Sequence, residues 1–363
     1  MPLSSLFSPL TIGRLKLESR LVMAPMTRRM SPGGMPGTEV ADYYRRRAEG
    51  GVALIISEGT GIADPAALAE AGVPEFHGAA LSGWAEVLHR VHAAGGRMFP
   101  QLWHVGSARK PDQTGTPHVP AVSPSGLFAP GKPNGETLDD ARIAAIIAAY
   151  GDAAADALRL GFDGIELHAA HGYLIDQFFW VPTNQRKDVW GREPWRFAQE
   201  VIRECRRRTS PQFPICLRFS QWKQQDYAAR LFDAPAALEP FVAAMADAGT
   251  DIFHCSTRRF WEPEFEGSRM NLAGWTRKLS GKPVITVGSV GLDEDFLITR
   301  VGDDPIPDSA RLDLLDDMLA SGEIDLVAVG RALIGDAQWG NRMRDGHFDR
   351  ITPFTREALT RLD

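Results

Sequence analysis

Cysteine is scarce in this chain: three in 363 residues, Cys205, Cys216 and Cys255, with no C-x-x-C among them. That pattern suggests neither a disulfide framework nor a cysteine cluster for zinc or iron–sulfur, and it suits a reducing cytoplasm. Charge of one sign is also never concentrated. Lys plus Arg number 40 against 46 Asp plus Glu, a formal charge of −6, and the basic stripe with which a nucleic-acid reader engages phosphates is missing. Long apolar runs are absent too. The best candidate, around Ile143 to Tyr150, meets Gly151 and Asp152 well short of the roughly 18 residues a membrane span needs. The opening MPLSSLFSPLTIGRLK lacks a basic start and an apolar stretch, and Pro9 interrupts what hydrophobicity it has, so a signal peptide is not expected.

What the chain does have is the balance of a packed globular protein, 44% hydrophobic and 24% charged. At about 150 residues per domain the length allows two domains, yet α/β barrels run from about 200 to over 400 residues as one. Short apolar runs alternate with segments of helical period. The strand candidates are 21–25, 52–57, 98–102, 164–168, 214–219, 251–255, 283–287 and 325–330. Most are apolar at consecutive positions, as strands covered on both faces are.

Helices with readable ends lie between them. Thr137 and Asp140 resemble a capping box ahead of Ile143, Ile146, Ile147 and Tyr150, and Gly161 suits the helix end. Trp84, Val87, Leu88 and Val91 form one face before Gly95; Leu238, Phe241, Val242 and Met245 form another before Gly249. Eight β-α units with right-handed crossovers close most economically into a (β/α)8 TIM barrel, expected to be a single domain over residues 1–363. Residues 105–136, rich in Pro, Gly and Ser, read as a long loop over the strand ends, and 299–308 read as a surface insertion.

In such a barrel the active groups sit at the carboxyl ends of the strands. Those positions hold Thr27, Glu58, Gln101, Trp103, His104, His168, His171, Tyr173, Arg218, Arg259, Phe260, Trp261, Gly330 and Arg331. The strongest local signal is GIELHAAHGYLIDQF at 164–178, which puts two imidazoles and a phenol into one strand-to-helix loop. Neutral imidazoles and a phenol donate hydrogen bonds to a carbonyl oxygen, and a phenol can also surrender a proton to carbon. Local packing of each histidine is the plain alternative. A second is metal ligation by the H-x-x-H pair in a hydrolase or lyase, although no third ligand is obvious and Asp176 reads as remote.

Nucleotide motifs are weak. GLFAPGKP at 126–133 carries Pro133 where a P-loop needs a hydroxyl, and no G-x-G-x-x-G follows a strand. Gly288-Ser289 and Gly330-Arg331 instead occupy the loops after strands seven and eight, where barrels commonly bind phosphate; tight turns would explain either glycine alone.

Taken together, the segments LFSPLTIG, RLVMAPMTR, GRMFPQLWHVG, GIELHAAHGYLIDQFF, TNQRKDVWG and LVAVGRALI resemble, in content and order, the Old Yellow Enzyme family of FMN-dependent ene-reductases. The resemblance implies a barrel holding noncovalent FMN, with a β-hairpin from the first twenty residues closing its bottom. It implies flavin contacts from Pro25, Met26, Thr27, Gly59, Gln101 and Arg218, with Thr27 near N5, and a phosphate clamp from Gly288, Ser289, Gly330 and Arg331. His168 and His171 match the pair that binds the substrate's activating oxygen, Tyr173 matches the proton donor, and Trp103, Phe260 and Trp261 would wall the pocket. NADPH or NADH would supply hydride and a small activated alkene would accept it, in a monomer or homodimer free of nucleic acid and membrane.

The chain departs from the family pattern at Ser107, where many relatives have Arg, in WGREPWRF and in the STRRFW loop. Relatives with fused iron–sulfur and dinucleotide domains, such as dienoyl-CoA reductases, are expected to match poorly.

Overall fold

The computed structural model describes residues 3–292 and 309–363, and in it eight parallel strands close into a barrel. In chain order these barrel strands are Leu21–Met23, Leu54–Gly61, Arg97–Trp103, Ile165–His171, Ile215–Lys223, Ile252–Ser256, Val284–Val287 and Leu326–Val329. Each pairs with its neighbour in sequence, and the eighth returns to the first with Val327 opposite Leu21 and Val329 opposite Met23. All eight expected strands are present. The second, fourth and fifth run past their expected ends to Gly61, His171 and Lys223, because register shifts at Ile56/Gly59 and Ala169/His171 carry pairing into polar sequence that does not look like strand. The expected 299–308 insertion lies outside the described residues.

The two ends of the barrel differ sharply. At the start of the strands, Leu10–Ile12 and Leu15–Leu17 form an antiparallel hairpin. Its Leu15 and Leu17 join Leu54, Phe99, Ile252, Ile285 and Leu326 in an apolar cluster that closes the bottom. On the outside, the faces recognised on Ala80–Ala93 and Pro235–Ala248 are buried as expected. The helix Asp140–Leu160 starts differently. Its cap is Asp139, whose carboxylate accepts from the Arg142 backbone N–H at 2.8 Å, while Thr137 belongs to a two-residue strand beside Val122–Ser123. Asp139 stands three residues before the donor it must satisfy, which Thr137 does not.

The long segment after the third strand is organised around one buried cation. Arg109, 1% exposed, donates to the Val119 carbonyl at 3.2 Å, to Thr114 Oγ1 at 3.0 Å and to Thr116 Oγ1 at 2.6 Å. The C-terminal residues return to the mouth, where Arg28 donates to the carbonyls of Ala358 (2.8 Å) and Arg361 (2.6 Å).

Replacing Asp139 by Ala is expected to cost about 1 kcal/mol in chemical denaturation, the usual worth of an N-cap, whereas Thr137→Ala should change stability by less than about 0.5 kcal/mol. Equal losses from the two variants would reassign the cap.

Candidate active site

The fourth strand delivers the expected trio to one place. His168 pairs with Arg218 and Ala169 with Phe219, the bulge follows, and His171 takes a left-handed backbone at φ +65°. A non-glycine residue in that region is strained and must be held there. Ser220 Oγ accepts the His171 N–H at 3.0 Å, and the His171 carbonyl accepts from Gln224 N at 3.2 Å. The next residue, Gly172 (φ +79°), is clamped on both sides: its N–H goes to Asp176 Oδ2 at 2.7 Å, and its carbonyl accepts from Gln177 Nε2 at 2.7 Å and Gln225 Nε2 at 3.1 Å. A Cβ at 172 would lie 2.0 Å from Gln225 Oε1, so a larger residue would both displace that amide and strain the left-handed backbone that glycine accepts.

Asp176 is therefore not remote, contrary to the expectation from sequence. It faces back along its short helix to the loop and pairs with Lys223 at 2.7 Å, both side chains fully enclosed. Without that ammonium, the carboxylate would be a buried uncompensated charge.

The rings stand close and mostly edge to face. His168 lies 5.1 Å from His171 and 4.9 Å from Tyr173, and His171 lies 6.5 Å from Tyr173. Trp103 stacks on His168 at 5.9 Å and meets Tyr173 edge-on at 4.8 Å, and Trp222 stacks on His171 at 4.4 Å. Burial, reinforced by the Arg218 charge, holds both imidazoles well below their ordinary pKa, so they are neutral donors at neutral pH. His168 Nδ1 has no protein partner. Burial pushes the Tyr173 phenol up to about 12 despite the 2.7 Å bond its oxygen accepts from Gln224 Nε2. It is a protonated acid throughout the neutral range.

Beneath the rings lies a charged floor. Glu166 accepts from Gln101 Nε2 at 2.8 Å and bonds His254 Nδ1 at 2.7 Å. Burial alone would raise this carboxyl, but His254, Arg218 and Gln101 hold it below the usual range. Arg218 is buried beside it, donates to Ser256 Oγ at 3.1 Å, and has no protein partner at Nε.

The first loop comes to the same mouth with Pro25 and Met26 half-buried and Thr27 exposed. Glu58 fixes its course by accepting from Arg28 N at 2.8 Å and Arg29 N at 3.3 Å. A Cβ on Gly59 would meet the Trp103 ring at 2.4 Å, so glycine lets the indole lie against the second strand. Gly288, at φ +141°, lies where a Cβ would come 2.8 Å from the Thr257 carbonyl oxygen; Ser289 (φ +50°) bonds the Arg258 carbonyl at 3.1 Å. Gly330 opens the short helix Arg331–Gly335, and a Cβ there would stand 3.4 Å from Met26 Sδ, which brings the eighth and first loops together. The Arg331 guanidinium lies over the Phe354 ring at 5.8 Å.

Phe260 and Trp261 pack on each other at 5.2 Å, and neither shares a ring contact with the His-His-Tyr trio among the described residues. His104 is a local structural residue that accepts the Gly106 N–H at 3.0 Å. The metal alternative gains no third ligand, since among the described residues no three His, Cys, Asp or Glu side chains gather to hold an ion. Sequence inspection missed Ser256, Trp222, Lys223, Gln224 and His254. Of these, only His254 carried a usable signal, a histidine inside an otherwise apolar strand.

A family model described as the NADH:flavin oxidoreductase / NADH oxidase family matches residues 5–316. An NADH oxidase of Thermoanaerobacter brockii is 32% identical, the match covering 96% of this chain and 52% of that protein. A cinnamate reductase of Clostridium sporogenes is 30% identical over 96% of this chain and 54% of its own length. The chain thus spans about half the length of these curated relatives. Among solved structures, morphinone reductase in complex with tetrahydroNAD superposes with a TM-score of 0.80 at 27% identity, covering 99% of this chain and 97% of that one. The old yellow enzyme homologue of Zymomonas mobilis gives 0.80 at 25% identity, covering 99% and 98%.

Burial raises the Glu58 carboxyl to about 7, and the two backbone N–H bonds only moderate that effect. A carboxyl whose folded-state pKa lies above its unfolded value stabilises the fold fully below the unfolded value, near 4.5, and loses that contribution as pH rises through 7. Glu58→Gln is expected to gain on the parent protein by up to about 3 kcal/mol between pH 4.5 and 8, at 1.36 kcal/mol per pKa unit. Parallel stability curves for the two proteins would show that Glu58 does not titrate in this range.

Proposed function

The chain belongs to the NADH:flavin oxidoreductase / NADH oxidase family, the Old Yellow Enzyme family, and on that premise we propose that it is an FMN-dependent ene-reductase. The single observation that carries this is the gathering of two neutral imidazoles and a protonated phenol beside a buried guanidinium at one barrel mouth. FMN is the family's cofactor and would supply the redox chemistry when bound, the transfer of hydride from NADPH or NADH to the β-carbon of an activated alkene.

The residues present fit that group. A flavin pyrimidine edge offers carbonyl acceptors and a ring N–H. Arg218 Nε is a buried donor with no protein partner, and Gln101, whose amide N–H is engaged by Glu166, has its carbonyl oxygen turned away from that carboxylate as an acceptor. Gly288, Ser289, Gly330 and Arg331, on the loops after strands seven and eight, would hold the phosphate, and Pro25, Met26, Thr27 and Gly59 would flank the ring system.

On the substrate side, His168 and His171 donate hydrogen bonds to the carbonyl or nitro oxygen and stabilise the negative charge that develops there. Neutral rings serve this role without moving their own protons. Tyr173 gives its proton to the α-carbon, and Trp103 supplies an apolar wall next to both His168 and Tyr173. Phe260 and Trp261 are assigned to the outer wall. Cinnamate, in the name of one relative, is an alkene conjugated to a carboxylate, the class of acceptor this donor pair suits.

Purified protein is expected to be yellow, to bleach with NAD(P)H and to recover its colour with cyclohexenone. A protein that stays colourless after FMN is added would end this assignment. Tyr173→Phe should bind flavin and accept hydride as before, while reoxidation by a weakly activated enone slows by roughly 10²- to 10⁴-fold, the usual contribution of a general acid. Unchanged reoxidation by the variant would remove Tyr173 as the donor.

A further inference from the structure

Between the guanidinium and the imidazole at the mouth stands one small hydroxyl. Ser256 closes the sixth strand and is 2% exposed; its Oγ is 3.1 Å from Arg218 Nη2 and 2.7 Å from His171 Nε2. Arg218 can only donate, so the hydroxyl accepts that bond. Ser256 then has one proton of its own to place, and its other polar partner at Oγ is His171 Nε2. Were Nε2 protonated, the hydroxyl would accept twice and its buried hydrogen would face no acceptor. With Nε2 bare, all three groups are matched.

The backbone of the same residue fixes the ring from the other side. The Ser256 carbonyl accepts the Trp222 indole N–H at 3.1 Å, and that indole stacks on His171. One serine thus holds the imidazole at its edge and, through Trp222, at its face.

We infer that Ser256 is a positioning residue that relays the Arg218 donor to His171 and fixes the imidazole as its Nδ1–H tautomer, so that Nδ1 donates to the activating oxygen of the alkene. The assignment of that oxygen rests on the proposed function; the tautomer does not. Both rings being neutral, the orientation of a single proton decides whether His171 presents a donor or an acceptor to the pocket.

The flavin-bound protein labelled with ¹⁵N-histidine, with the His171 signals assigned by their loss in His171→Gln, tests this directly. Nδ1 is expected to resonate as protonated and Nε2 as bare. In Ser256→Ala the His171 signals should shift toward the other tautomer or to an average, and p-hydroxybenzaldehyde, read by its charge-transfer absorbance, should bind about tenfold more weakly. Ser256→Thr, which keeps the hydroxyl, should restore both. A proton on Nε2 in the parent protein, or an unchanged His171 spectrum in Ser256→Ala, overturns the inference. Enone reduction by such a protein would leave the functional proposal standing. An Nδ1–H tautomer in a protein that neither binds the phenol nor reduces an enone would instead overturn the functional proposal and the role given to that proton.

Discussion

A guanidinium enclosed at the barrel mouth is the constraint on which the rest of this site depends. Arg218 is 7% exposed and its Nε has no protein partner, so its charge must be balanced through space. Glu166 supplies that balance through space while its own oxygens bond Gln101, His254 and Cys216. Arg218 therefore keeps an unpartnered donor at Nε. Its field also helps keep His168 and His171 neutral, since each imidazole would gain its positive charge next to an existing one. A mouth built in this way welcomes an oxygen that becomes negative and disfavours a cation.

Holding such a mouth open requires backbone that is not at rest. His171 at φ +65° and Ser289 at φ +50° are two of the four non-glycine residues with positive φ among the described residues, and both lie in loops expected from sequence to bind ligand. The strain at His171 is resisted by bonds converging on three consecutive residues. Ser220 and Gln224 hold His171, Asp176, Gln177 and Gln225 hold Gly172, and Gln224 reaches Tyr173. The Asp176–Lys223 pair ties this loop to the end of the fifth strand, and it is the kind of buried ion pair whose value lies in geometry more than in stability.

The fold was legible in sequence because strand burial on both faces leaves consecutive apolar residues and each helix leaves a periodic stripe. The strand ends were not, because the residues that extend them, Glu58–Gly61 and Ser220–Lys223, are mostly polar or glycine and lie on a bulged barrel rim. His168, His171 and Tyr173 were visible because they crowd one loop. Ser256, Trp222 and Lys223 lie on other strands and Gln224 follows the fifth, and only closure of the barrel brings 256 and 222 against 171. Thr137 was mistaken for a cap because composition shows which residues can cap but not where the helix begins.

Stability and chemistry occupy different layers of this barrel, and the layer between them explains an apparent extravagance. The bottom is apolar, from Leu15 and Leu17 through Phe99, Ile252 and Leu326. The mouth is rings and hydrogen-bonding groups. Glu166, His254 and Cys216 lie between, fully buried, where aliphatic side chains of similar volume would hold the strands together at least as well. An aliphatic floor would leave Arg218 without its counter-charge and Gln101 free to present either end of its amide upward. The buried acid removes both freedoms at once, so the polar floor is explained by what stands on it rather than by what it contributes to folding.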